Sequence, residues 1–336
     1  MEYIIVTLLL FILMLAYFKI ALKYKIIDKP NHRSAHSEVT IRGGGVVFPV
    51  AFLLFLLTIA GVGFLSLPAS DINFENHNFL MFGIGLLLIC IISFIDDVTD
   101  LSSKIRLAFH VVVVTFLMLF LDILAIQPMW LIPVLYIIII GILNAYNFMD
   151  GINGITGLYT LAVLLSLWYI NTYIIDFTAD GFIIYPLLAT IVFLFFNFRT
   201  KAKCFMGDIG SMGIAFWVIA LLGLLILKTG ELKWILFLSV YGVEVIATLL
   251  ERLKLKENIF EAHRRHLYQL FANDLKISHL TVSAVYAVCQ LLINAFVIFS
   301  DLPDAVIFPV VLMPLVILYF YTKYAVKKAI PKAAKK

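Results

Sequence analysis

Charge is what this sequence has least of. Only 14% of its 336 residues are Asp, Glu, Lys or Arg, against about 25% in an ordinary soluble domain. That shortage, with 63% hydrophobic residues and a mean hydropathy of +1.06, excludes a pair of ordinary globular domains. Cysteine is scarce as well. Cys90, Cys204 and Cys289 stand singly, without a CxxC pair, which excludes a disulfide framework and leaves each as a small apolar interior residue. No basic segment precedes the first apolar stretch, and that stretch runs on to Ile20, so it reads as a retained membrane helix and not a signal peptide. No soluble domain, linker or low-complexity segment stands out. No inverted repeat is evident either, which counts against a secondary transporter.

What is present is a series of apolar runs, and crossing the hydrocarbon core takes about 20 such residues. Runs at 4–22, 44–67, 79–95, 107–126, 129–147, 155–175, 182–198, 210–227, 233–250, 278–300 and 305–322 predict eleven spans. The pair flanking Gln127 and Pro128 is the weakest. The expected fold is an all-α polytopic transmembrane bundle, one integral-membrane domain over residues 1–336. With the N-terminus outside, every Lys and Arg except Lys228 and Lys233 falls at the inner end of a span, in an inner loop or in the inner tail. That is the bias expected of cytoplasmic segments, so the chain is expected to end inside. Its basic tail, Lys323 to Lys336, then rests against anionic headgroups of the membrane lipids.

In that orientation the unusual polar clusters share the inner face. Asp96 and Asp97 are adjacent carboxylates at a membrane boundary, costly unless a cation or proton lies between them. On a helix Asn144, Asn147 and Asp150 recur near one face, and Gly151 and Gly154 then break it. Asp208 opens a span behind Phe205-Met206-Gly207, where unpaired backbone N–H groups suit a phosphate or metal-phosphate, though an aspartate there also serves as a plain cap. His263-Arg264-Arg265-His266 offers phosphate-pairing groups before span ten, although a positive inner loop needs no function. Between Asp28 and Gly45, Arg33 and Arg42 flank a route to three successive glycines that could cradle an anion. Together Asp96, Asp97, Asp150 and Asp208 beside Arg and His residues suggest Mg2+ with phosphates, because magnesium takes one or two carboxylates plus substrate oxygens.

Asp96-Asp97, Asn144-x-x-Asn-Phe-x-Asp-Gly, Met206-Gly-Asp-x-Gly-Ser and Arg42-Gly-Gly-Gly together resemble the polyprenyl-phosphate N-acetylhexosamine-1-phosphate transferases. The match runs in order from about Asp28 to Gln269. The resemblance implies transfer at phosphorus: undecaprenyl or another polyprenyl phosphate attacks a UDP-N-acetylhexosamine, expels UMP and requires Mg2+, with Mn2+ as an alternative. By motif, Asp208 is implied as the direct metal ligand. Asp97 and Asp96 are placed by the metal and lipid phosphate, one of them a candidate base. Asp150 and His266 complete the implied catalytic set. Phe205 falls at a uracil-stacking position, Gly151, Ile152 and Asn153 at nucleobase contacts, and Glu244 at an acidic position of the ninth span. Asn144, Asn147, Arg33, Arg42, Arg264 and Arg265 complete the expected substrate-binding set.

One departure narrows the resemblance. The family's histidine-rich string reads His263-Arg-Arg-His266-Leu-Tyr268-Gln269 here, so Tyr268 and Gln269 replace later histidines. This is similar to the O-antigen and exopolysaccharide initiating branch, some of whose members accept 6-deoxy sugars, and it argues against a peptidoglycan role. The implied location is the bacterial inner membrane, multi-pass, with the active site facing the cytoplasm, no nucleic-acid partner and room for a homodimer. The rival reading is a multi-span transporter of an anionic substrate, whose site would lie near the bilayer midplane and not at helix ends.

Overall fold

The computed structural model describes residues 2–28, 39–61, 78–99, 101–258 and 263–330. Its helices are α1 (Glu2–Lys23), α2 (Val47–Ile59), α3 (Phe79–Thr99), α4 (Ser103–Phe120), α5 (Leu131–Met149) and α6 (Ile155–Tyr173). They continue with α7 (Asp180–Asn197), α8 (Gly207–Thr229), α9 (Ser239–Lys254), the single turn α10 (Leu267–Gln269), α11 (His279–Ile298) and α12 (Asp304–Ala329). Runs rich in Ile, Val and Phe would favour strands in water. In hydrocarbon each segment must satisfy its own backbone N–H and C=O groups, and a helix does so.

Among the described residues ten helical segments are long and apolar enough to cross a membrane, α9 counting with the 3-10 turn before it as Leu232–Lys254. The shorter apolar helix Gly44–Ile59 falls on the second expected run, described as far as residue 61. The chain is thus a polytopic all-α bundle. Boundaries shift from the sequence reading in several places, and two of the shifts are set by polar residues. Turns replace helix over residues 121–130, where Asp122, Gln127 and Pro128 interrupt the apolar run. At the other end α12 continues past residue 322 to Ala329, because Lys323, Lys327 and Lys328 prolong the helix beyond its apolar stretch.

α8 is apolar on all sides and buried on all sides, which places it at the centre, against α2, α3, α5, α6 and α7. Most of α1 and α12 instead faces lipid. Beside α8, Phe52, Phe82, Phe182 and Trp217 pack mostly edge to face, Phe216 lies tilted against Phe82, and the Trp217 indole donates to the Phe182 carbonyl at 2.9 Å.

The end of the bundle at the start of α8 is stitched by backbone. β1 (Ile27–Asp28) and β2 (Thr40–Ile41) pair antiparallel, and Ile41 in turn bridges to Cys204. Gly44 N donates to Phe205 O at 2.8 Å and Gly45 N to Met206 O at 2.9 Å. A Cβ on Gly45 would overlap the Cα of Gly210, so only glycine allows this approach of the two segments. The glycine run is therefore a packing surface against the start of α8. Its amides at Gly44 and Gly45 are already donated and do not form the expected anion cradle.

Candidate active site

Four polar motifs from distant parts of the chain converge at one end of the bundle. Asp97 lies in the last turn of α3, Asp150 caps α5, Asp208 is the second residue of α8, and Arg42 precedes α2. The Asp97 carboxylate receives the Asp208 N–H at 2.9 Å and the Ile209 N–H at 3.4 Å. It also meets the Arg42 guanidinium at 2.7 Å. An aspartate capping a helix start satisfies orphan amides and complements the helix dipole. The α8 amides predicted to await a phosphate are thus taken by Asp97. Arg42 lies 4.0 Å from the Asp208 carboxylate, so one cation faces two acids. Tyr17 of α1 holds this arginine by donating its hydroxyl to the Arg42 carbonyl at 2.7 Å.

Asp96 points elsewhere, as adjacent residues on a helix must. It accepts the Leu101 N–H at 2.7 Å and pairs with Arg106 at 3.2 Å. Asp96 and Asp97 therefore have different partners.

On α5, Asn147 donates to the Ser211 hydroxyl at 3.2 Å and neighbours the Asp208 carboxylate, whereas Asn144 donates back to Ile140 O at 2.8 Å. Enclosure of Asp150, with the Asp208 charge adding and Arg42 opposing, pushes its carboxyl up to about 7. The turn that follows is braced. Asn153 donates to Arg199 O at 2.8 Å and its own carbonyl receives the Ser283 hydroxyl at 2.8 Å. Ile152 and Asn153 are buried, and Gly151 is the exposed member of the three. Phe205 is half-buried, with its N–H donated to Ile41 O at 2.8 Å.

The histidine-bearing segment docks onto this turn through Tyr268. Its hydroxyl donates to Phe148 O at 2.9 Å, and a Cβ on Gly151 would strike its ring. Its N–H donates to Glu244 at 3.2 Å, and Glu244 also accepts the Tyr286 hydroxyl. His266 is buried, with its ring stacked 5.6 Å from that of Tyr268, and burial first, then the neighbouring His263, Lys323 and Arg252, pushes it down to about 3. Arg264 is exposed, whereas Arg265 is held by Glu257. Arg33 lies outside the described residues.

The carboxylate of Asp208 is a quarter exposed, while that of Asp97 is closed off by its amides and Arg42. Among the described residues no three of His, Cys, Asp and Glu meet as a ready-made metal cage. A magnesium ion needs only one or two carboxylates when substrate phosphates complete its shell. The hard oxygens of Asp208, with Asn147 and Asp150 nearby, fit that requirement.

Tyr17 and Arg106 were not singled out by sequence. A tyrosine at the end of an apolar run reads as an interfacial anchor, and Arg106 as one more inner positive charge.

The family model for glycosyl transferase family 4 matches residues 79–227. A probable undecaprenyl-phosphate N-acetylglucosaminyl 1-phosphate transferase of Bacillus subtilis is 28% identical over 273 residues, covering 74% of this chain and 70% of its own. An undecaprenyl-phosphate alpha-N-acetylglucosaminyl 1-phosphate transferase of Thermotoga maritima is 26% identical, covering 76% of each chain. A phospho-N-acetylmuramoyl-pentapeptide-transferase of Petrotoga mobilis is 29% identical over 47% of this chain and 55% of its own.

Proposed function

Because the chain belongs to the polyprenyl-phosphate N-acetylhexosamine-1-phosphate transferase superfamily, we propose that it moves a sugar phosphate from a UDP-sugar to a polyprenyl phosphate. The donor is a UDP-N-acetylhexosamine or a 6-deoxy relative, and the acceptor is undecaprenyl or a related polyprenyl phosphate. An oxygen of the lipid phosphate forms a bond to the sugar-bearing phosphorus. The bond from that phosphorus to the bridging oxygen breaks, and UMP leaves with the electron pair. The second pKa of a phosphate monoester is about 6, so the attacking phosphate is largely dianionic at neutral pH. Positioning and charge neutralisation then outweigh proton removal, as in other phosphoryl transfers.

In this reading Arg42 offsets the charge of the crowded acids and of the diphosphate. Asp208 is the residue to hold Mg2+, or Mn2+ in its place, and the ion when bound would neutralise diphosphate charge. Asp97 fixes the start of α8 and so the direction of Asp208. Asp96, turned toward Arg106, stays the alternative for a base role. The enzyme works in the bacterial inner membrane with this end of the bundle in the cytoplasm, at the first membrane step of surface-polysaccharide synthesis of the O-antigen type.

One observation carries the reading. Arg42, Asp97 and Asp208, from three widely separated motifs, meet within 4.0 Å at helix ends and not at mid-bundle. That location gives the transporter reading no support. The test is incubation of purified protein with undecaprenyl phosphate, Mg2+ and a panel of UDP-sugars. A lipid-linked diphosphate sugar with at least one donor is expected; no lipid product with any of them would overturn the proposal.

A further inference from the structure

The inner end of α12 does not pack into the main core. Ala247 of α9, Leu267 and Leu270 at α10, and Tyr319, Val326 and Ile330 at the end of α12 form a second, separate apolar cluster. The most lipid-exposed helix of the bundle thus docks its inner end on the segment that carries His263 and His266.

Charge fixes the same junction. Lys323 of α12 is buried, and a buried ammonium is costly unless paired. Its Nζ lies 2.7 Å from Glu251 Oε2 and 2.7 Å from the Tyr319 hydroxyl. Lys327 Nζ reaches Glu251 Oε1 at 2.5 Å, and Arg265 comes within 3.8 Å of that same oxygen. Glu251, in the inner end of α9, is therefore shared by two cations of α12 and one of the histidine-bearing segment. Arg265 in turn donates its Nε to Glu257 at 3.0 Å, and Glu257 also pairs with Arg252 at 3.5 Å. Four cations surround two carboxylates. Removing Glu251 would leave Lys323, Lys327 and Arg265 repelling one another at the point where α12 meets the segment.

Arg265, expected from sequence to clamp substrate, is engaged in this junction. Beyond it the chain runs through His266 to Tyr268, whose hydroxyl and ring rest on Phe148 and Gly151 at the end of α5. We propose that Glu251 is a positioning residue through which the inner end of α12 holds the 263–269 segment over the Asn147–Gly151 end of the active site. Its effect on turnover rests on the transferase reading above; its effect on the segment does not.

The experiment is hydrogen exchange by mass spectrometry on the full chain in lipid nanodiscs, run beside transferase kinetics. Glu251→Gln should speed exchange of the amides at 263–270 at least tenfold, while the amides at 147–154 and at the start of α8 keep their wild-type rates. The KM for the sugar nucleotide should rise at least fivefold more than kcat falls. Lys327→Gln, at a half-exposed side chain, should do the same to a smaller degree and keeps the test open should Glu251→Gln not accumulate. Glu251→Asp should recover part of the protection. Unchanged exchange at 263–270, equal acceleration across all helices, or a loosened segment with unaltered KM would overturn the proposal. A wild-type chain inactive toward every UDP-sugar would refute the transferase reading instead, and the exchange rates would still decide the role of Glu251.

Discussion

Asp97 and Asp208 are joined through backbone: the carboxylate of the first receives the N–H of the second at 2.9 Å. The two acids therefore have different work. Asp97→Ala should remove both the cap of α8 and the pair with Arg42. Losing a cap costs about 1–2 kcal/mol, so the melting temperature should fall by several degrees together with at least a hundredfold loss of turnover. Asp208→Asn keeps the shape but removes the charge. It should melt within about a degree of wild type, lose turnover to a similar extent, and recover part of it at raised Mg2+. Equal loss of stability in both variants would contradict this division.

Tyr17→Phe removes one hydrogen bond, the one to the Arg42 carbonyl. A bond of this kind contributes about 1 kcal/mol net, which corresponds to about a fivefold fall in kcat if Arg42 loses its aim. Steady-state kinetics at saturating substrates checks it. Unchanged kcat would mean that the pair with Asp97 alone holds the arginine.

Much of the fold was legible, because membrane spans announce themselves by length and apolarity. The convergence of Arg42, Asp97, Asp150 and Asp208 on one face was readable from the positive-inside bias and the spacing of motifs. What lies between those residues was not. Nothing in the order of residues reveals that Asp97 caps α8, that the Gly44 and Gly45 amides are spent on Phe205 and Met206, or that Arg265 faces Glu257. Those outcomes depend on which distant backbone groups arrive at the same point. A carboxylate or guanidinium reads the same in sequence whether its partner is substrate or protein.

Gly45→Ala should be among the least tolerated small changes in the chain. Its Cβ would overlap the Cα of Gly210, and backbone cannot step aside as a side chain can. Little folded protein is expected on size-exclusion chromatography in detergent. Gly242→Ala, where an added Cβ meets nothing within 4 Å, should behave as wild type. Equal yields of the two variants would show that the contact between the glycine run and α8 is looser than described.

Acid should loosen the histidine-bearing segment. Burial, the largest cause at each, pushes His266 down to about 3 and His263 down to about 4. An unfolded histidine titrates near about 6.5. Between that value and the folded one the unfolded chain binds more protons. The contribution of each group is therefore complete above pH ~6.5 and declines as pH falls toward its folded value. For His266 the decline by pH 5 is on the order of 2 kcal/mol. Thermal melts at pH 7.5 and 5 should show a drop that His266→Asn makes visibly smaller. Parallel drops in both proteins would contradict the assignment.

Transfer at the sugar-bearing phosphorus is decided by the fate of that one phosphate. Purified protein is given undecaprenyl phosphate, Mg2+ and an accepted UDP-sugar carrying radiolabel in its β-phosphate, and both phases are counted after organic extraction. Label is expected in the lipid phase and UMP, in equal amount, in the aqueous phase. Release of labelled UDP with unlabelled sugar-lipid would mean attack at the sugar carbon and would contradict transfer at phosphorus.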